Sequence, residues 1–119
     1  MPSTLSKWIP FGSVPEIGAI ELWRTIESGE VQLIDVRTSQ EWRFSAIGGS
    51  WNIPITGFNR ETVEALELDK TKPVVVICLT AHRSIPAVRI LQEMGFEDAR
   101  QLRGGMAQWW RQKLPCCKQ

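Results

Sequence analysis

The sequence has no tyrosine and a single histidine, and only three of its 119 residues are cysteine. One histidine without any Cys-x-x-Cys spacing supplies too few ligands for a structural zinc site, so no metal is expected. Cys78, Cys116 and Cys117 are an odd set with two members adjacent at the tail, which does not make the framework of a disulfide-stapled secreted domain. A reducing compartment suits these thiols, so Cys78 is expected free and the protein cytoplasmic. Charge of one sign is also missing. Fourteen basic and 13 acidic residues give a net charge of +1, and neither nucleic acid nor an anionic membrane is an expected whole-surface partner. No apolar run approaches the roughly 20 residues of a membrane-spanning helix. The stretch from Met1 to Pro10 has one lysine but no apolar core of the kind a secretory signal carries. Repeats and low-complexity linkers are absent.

What is present suits one compact domain. Hydrophobic residues make up 43% and charged residues 23%, ordinary values that allow a core without staples. Ile20, Leu22, Trp23 and Ile26 have helical spacing, and Ser28-Gly29 supplies a stop. Residues 31–36 read as a short buried strand. Thr38-Ser39-Gln40-Glu41 has the form of a capping box that opens a short helix. The segment from Ala46 to Ile55 reads as a turn into another short strand. Asn59 is a candidate N-cap, with Phe58 and Val63 placed as a hydrophobic staple for a helix reaching about Leu68. The continuously apolar, β-branched run Val74-Val75-Val76-Ile77 fits a central parallel strand covered on both faces. A helix from about Ser84 to Met94 follows, closed by Gly95. Then come a strand over Asp98–Leu102 and a helix from Gly104-Gly105 to Leu114, stopped by Pro115. Trp109 and Trp110 read as core and near-surface filling. Strands alternating with helices place the chain in the α/β class with a mostly parallel sheet.

In such sheets ligands bind beyond the carboxyl ends of the strands, and Cys78 ends the most apolar one. Where a strand hands over to a helix, backbone N–H groups curl towards one point and the helix dipole adds positive potential. A cysteine facing that point is stabilised as thiolate, and Arg83 adds a permanent charge. The same residues also fit a buried core cysteine ahead of a capped helix.

Four segments together resemble the rhodanese family of sulfurtransferases. Leu33-Ile34-Asp35-Val36-Arg37 with Glu41-Trp42 is similar to its L-I-D-V-R…E-[YW] segment. Residues 47–54, Ile-Gly-Gly-Ser-Trp-Asn-Ile-Pro, resemble its I-P-G-A-x-N-I-P segment. Cys78 to Ser84 resembles its C-x-x-G-x-R-S loop. Gly95-Phe96 and Leu102-Arg103-Gly104-Gly105-Met106 with Trp109 resemble its closing motif. The resemblance spans Ile17 to Trp109. On it we set a rhodanese-like domain at 14–114, an N-terminal extension at 1–13 and a C-terminal tail at 115–119.

The resemblance implies a five-stranded, mostly parallel sheet with helices on both faces. It further implies that the Cys78 thiolate takes a sulfane sulfur from thiosulfate or a persulfide. The resulting Cys78 persulfide passes the sulfur to cyanide, a thiol or a protein thiol, in two easier steps instead of one. The amides and charge of Leu79, Thr80, Ala81, His82, Arg83 and Ser84 would hold the anionic persulfide. No cofactor beyond this covalent intermediate is needed. The Cys78–Arg83 stretch is one residue shorter than the matching loop of phosphate- and arsenate-handling relatives, which disfavours a phosphatase or arsenate reductase. A non-catalytic interaction module is a further alternative, although such relatives usually lose the cysteine.

Some positions depart from the pattern or carry two readings. Ala81 stands where the family usually has glycine; a positive φ there would cost about 1 kcal/mol. Ala46 replaces a usual histidine, read as a packing difference. His82 is either a solvated side chain or a group that steers an anionic donor. Asp35 and Arg37 either support the loop by hydrogen bonds or cap a strand end. Arg83 either positions the loop or makes a surface ion pair. Ser84 either caps the next helix or faces the persulfide. Glu41 is assigned to its capping box; Cys116 and Cys117 either resolve the persulfide, form a disulfide, or are stray thiols on a mobile tail.

Overall fold

The four residues Val74–Ile77 are all buried, and as strand β4 they form the centre of the molecule. In the computed structural model, which describes residues 12–118, the chain runs β1 (Glu16–Ile17), α1 (Ala19–Ser28), β2 (Gln32–Asp35), α2 (Ser39–Phe44), β3 (Trp51–Asn52), α3 (Arg60–Glu64), β4, α4 (Ser84–Glu93), β5 (Ala99–Leu102) and α5 (Gly105–Arg111). The expected extension at 1–13 lies, except for Gly12 and Ser13, outside the described residues. The sheet has five strands in the order β1-β5-β4-β2-β3, and every pairing is parallel.

Alternation along β4 sorts the core into two layers. Val74 and Val76 lie in an apolar cluster with Val63 of α3 and Ala87, Val88 and Leu91 of α4. Val75 and Ile77 lie in a second cluster with Leu22 of α1 and Met106 and Trp109 of α5. Helices therefore cover both faces, as a buried parallel sheet requires. Registers Asp35↔Ile77 and Val76↔Gln101 bring the ends of β2, β4 and β5 to one edge. Among the described residues, no helix is long and apolar enough to cross a membrane.

Several expected elements need revision. The buried stripe of α1 is Ala19, Leu22, Trp23 and Ile26, at i, i+3, i+4 and i+7; Ile20 falls at its edge and is 44% exposed. Helix α3 stops at Glu64 rather than Leu68, because Glu67 takes φ +54 and turns Leu66 and Leu68 onto the core. Helix α5 stops at Arg111 rather than Leu114, because Lys113 takes φ +57 and Leu114 folds back on the core around Trp109. Strand β1 has two residues, too few for a periodic pattern. The expected capping box of Thr38 with Glu41 opens α2, and the expected N-cap Asn59 opens α3, where Thr62 completes an unforeseen capping box.

Candidate functional site

Cys78 continues the alternation of Val74 and Val76, so its side chain leaves the sheet on the α4 side. The residue is 1% exposed. Its sulfur is nonetheless turned to the following loop, where Sγ accepts a hydrogen bond from the Ala81 amide at 3.0 Å. Ala81 has φ +70; the position expected to need glycine is left-handed, and alanine carries the strain. Among the described residues, the amides of Leu79, Thr80, His82 and Arg83 donate to no protein acceptor. The loop thus carries these four N–H groups beside the one bound to the thiol, and leads into the ten-residue helix α4.

The underside of the loop rests on α5. Met106 and Ala107 donate backbone hydrogen bonds to the carbonyls of Cys78 (2.8 Å) and Leu79 (3.0 Å). The approach is possible because Gly105 has no side chain: a Cβ there would lie 2.5 Å from the Leu79 carbonyl carbon and oxygen, and closer still to the Cys78 oxygen. The sequence displays the Gly104-Gly105 pair, but not what it approaches.

Arg83 spans the mouth of the loop. Its two terminal nitrogens donate to both carboxylate oxygens of Glu41, at 2.9 and 3.1 Å, with both side chains about one-third exposed. Glu41 also accepts from the Thr38 amide, so the capping-box residue has a second partner beyond its assigned one. The Arg83 hydrogen bonds are the main cause holding the Glu41 carboxyl down at about 2, against the opposing effect of burial. The Arg83 pKa is raised, first by Glu41 and also by Cys78. Arg83 is thus held to Glu41 at the end of the loop that begins at Cys78.

The other candidates are placed differently. Ser84 does not cap α4 by its side chain; its buried hydroxyl donates to Gln101 Oε1, and Gln101 in turn donates to Glu16. His82 Nδ1 pairs with the Thr80 hydroxyl at 3.0 Å. Asp35 and Arg37, both fully buried, pair with each other, the guanidinium reaching Asp35 Oδ2 at 2.8 Å and the Ser45 carbonyl at 2.7 Å. Their hydrogen bonds fix the end of α2 and, among the described residues, do not reach the cysteine loop, which favours the structural reading of this pair over loop support. The tail is docked rather than free. Cys117 exchanges backbone hydrogen bonds with Ala46, Ser45 donates to Cys116 Sγ at 3.2 Å, and Trp109 Nε1 donates to the Pro115 carbonyl.

Comparison with known proteins gives this geometry a setting. The family model for the rhodanese-like domain matches residues 19–112. The chain is 37% identical over 97 residues to a probable adenylyltransferase/sulfurtransferase, MoeZ, of Mycobacterium tuberculosis, covering 80% of this chain but only 24% of that protein. It is 28% identical to the thiosulfate sulfurtransferase GlpE of Shewanella oneidensis, covering 82% and 93% of the two chains. A helix-turn-helix transcriptional regulator of M. tuberculosis is 38% identical over 98 residues, 80% of this chain and 41% of that protein. Among solved structures, a rhodanese-related protein of Thermoplasma volcanium superposes with a TM-score of 0.78 at 30% identity, over 89% of this chain and all of that one. From the strand order to the cysteine loop, then, the chain belongs to the rhodanese-like domain family.

Proposed function

We propose that the protein is a sulfurtransferase that carries a sulfane sulfur on Cys78 as a persulfide, from thiosulfate or another persulfide to a thiol or cyanide acceptor. The observation that carries the reading is the Cys78 sulfur, bound by the Ala81 amide inside a loop whose neighbouring amides, among the described residues, have no protein partner. Such a loop stabilises negative charge on the thiolate before attack and on the persulfide after it, without reorganising between the two. Arg83, held by Glu41, helps orient the loop, and Gly105 lets α5 clamp the loop from below. Similarity to thiosulfate sulfurtransferases adds support, as does the loop's length against the phosphatase reading.

The test is thiocyanate formation from thiosulfate and cyanide. The wild type is expected to turn over and Cys78→Ser to be inactive, while Cys116→Ser and Cys117→Ser retain activity. Cys78-dependent hydrolysis of an aryl phosphate, with no thiocyanate, would favour the phosphatase reading instead. The regulator that shares this domain favours a second reading, a binding module; wild-type protein that folds but takes up sulfur from no donor would establish it.

A further inference from the structure

Sulfur transfer through Cys78 leaves the donor unspecified, and the charges around the loop narrow it; a preference among donors rests on that transfer taking place. Three arginines sit near the carboxyl edge of the sheet, beside the end of β4, and each meets a carboxylate. Arg37 is sealed against Asp35, Arg83 is forked onto Glu41, and Arg103 reaches Glu16 at 3.4 Å. Arg43 lies two positions from Glu41 on α2, which puts it on the opposite side of that helix. Lys118 stands over the Phe44 ring at 6.0 Å, and the His82 ring pairs with Thr80. The arginine that belongs to the Cys78 loop, Arg83, is therefore the one whose charge Glu41 offsets.

That matters because the two donor classes differ in charge. With thiosulfate, the thiolate attacks the outer sulfur, the S–S bond breaks with its electron pair, and sulfite leaves: Cys78–S⁻ + S–SO₃²⁻ → Cys78–S–S⁻ + SO₃²⁻. Three negative charges meet at the mouth. With an organic persulfide, the same attack breaks the donor S–S bond and the departing thiolate takes up the proton: Cys78–S⁻ + R–S–SH → Cys78–S–S⁻ + RSH. One negative charge is present when the donor persulfide is protonated and two when it is ionised, in either case fewer than with thiosulfate. We infer that Glu41, by occupying Arg83, sets donor choice in favour of a low-charge organic persulfide over dianionic thiosulfate. Glu41 is then a positioning residue that acts through Arg83.

Glu41→Gln tests this, because its amide oxygen can still accept from the Thr38 amide. Rates of Cys78 persulfide formation are measured with graded thiosulfate and with the persulfide of 2-mercaptoethanol, whose R group is uncharged. With Arg83 released, kcat/KM for thiosulfate is expected to rise about tenfold, mainly through KM, while the organic persulfide changes by less than about twofold. Equal changes for both donors, or a loss with thiosulfate, would overturn the inference and leave Glu41 a helix cap. If the variant does not fold, the wild type supplies the test. A charge-balanced mouth gives a thiosulfate kcat/KM that varies less than about twofold from low to moderate salt, and a steep fall would contradict it. Wild-type Cys78 taking sulfur from neither donor would instead overturn sulfur transfer itself.

Discussion

Two arginine–carboxylate pairs stand near the same edge of the sheet, and burial separates their roles. Asp35–Arg37 is sealed, with side chains 0% and 1% exposed. Its guanidinium is occupied by Asp35 and the Ser45 carbonyl, and Trp110 stacks near it with the ring centroid 5.9 Å from Cζ. Glu41–Arg83 is about one-third exposed and borders the cysteine loop. A sealed pair must be complete, or an uncompensated charge is left in the core. A half-exposed pair contributes little to stability and is free to tune potential at a site. The first pair holds the scaffold, and the second sets the charge of the site.

The largest effect should come from breaking the sealed pair. Arg37→Ala leaves the Asp35 carboxylate buried without its partner and is expected to cost about 3–5 kcal/mol in denaturant unfolding, a large share of the ~5–15 kcal/mol by which a domain is stable. A loss below about 1 kcal/mol would show that the pair is not part of the scaffold.

Next is the joint between scaffold and loop. Gly105→Ala places a Cβ against the Cys78 and Leu79 carbonyls at a residue with φ +59. We expect about 2–4 kcal/mol of destabilisation, from overpacking plus left-handed strain, and a fall in activity larger than the unfolded fraction explains. Unchanged activity would show that the clamp from α5 is dispensable.

Within the loop the expected change is smaller and of opposite sign. Ala81→Gly removes a left-handed alanine and should stabilise by about 0.5–1 kcal/mol, after the extra flexibility of glycine in the unfolded chain is set against the relief. Activity should hold or rise. A large loss of activity would mean that the loop needs the alanine methyl.

The smallest effect belongs to the exposed pair and depends on pH. Glu41 titrates near 2 in the folded protein against an ordinary 4.5, with the Arg83 hydrogen bonds the main cause. A depressed carboxylate stabilises above its unfolded pKa and loses that contribution as pH falls through the folded one. The wild type should therefore exceed Glu41→Gln by up to about 1 kcal/mol above pH 4.5. The margin should shrink as pH is lowered towards 2; a margin that grows on acidification would contradict the pairing.

The same contrast explains what can be read in the residues. Local signals are legible: the apolar runs of β2 and β4, the Thr38 box, the Asn59 cap, and glycine after α1 and α4. Cys78 is legible because it follows the most apolar strand. Contacts between distant residues are not. Glu41 and Arg83 are 42 positions apart, and nothing in a capping box announces a second partner. Gly105 shows no sign of the carbonyls it approaches, and Ser84 gives no hint of Gln101. Short edge strands are also hidden or blurred, since two residues cannot display a period. The tail reads as mobile but is docked, because its order comes from Ala46 and Trp109 rather than from its own composition.

The central claim is that Cys78, among three thiols of which the other two are exposed, is the sulfur carrier. The most direct measurement is peptide mapping by mass spectrometry after incubation with a sulfane-sulfur donor and removal of the excess. We expect the mass of one added sulfur on the peptide holding Cys78, discharged by cyanide. Added sulfur confined to the peptide holding Cys116 and Cys117, or found on no peptide with thiosulfate and organic persulfides alike, would contradict the account.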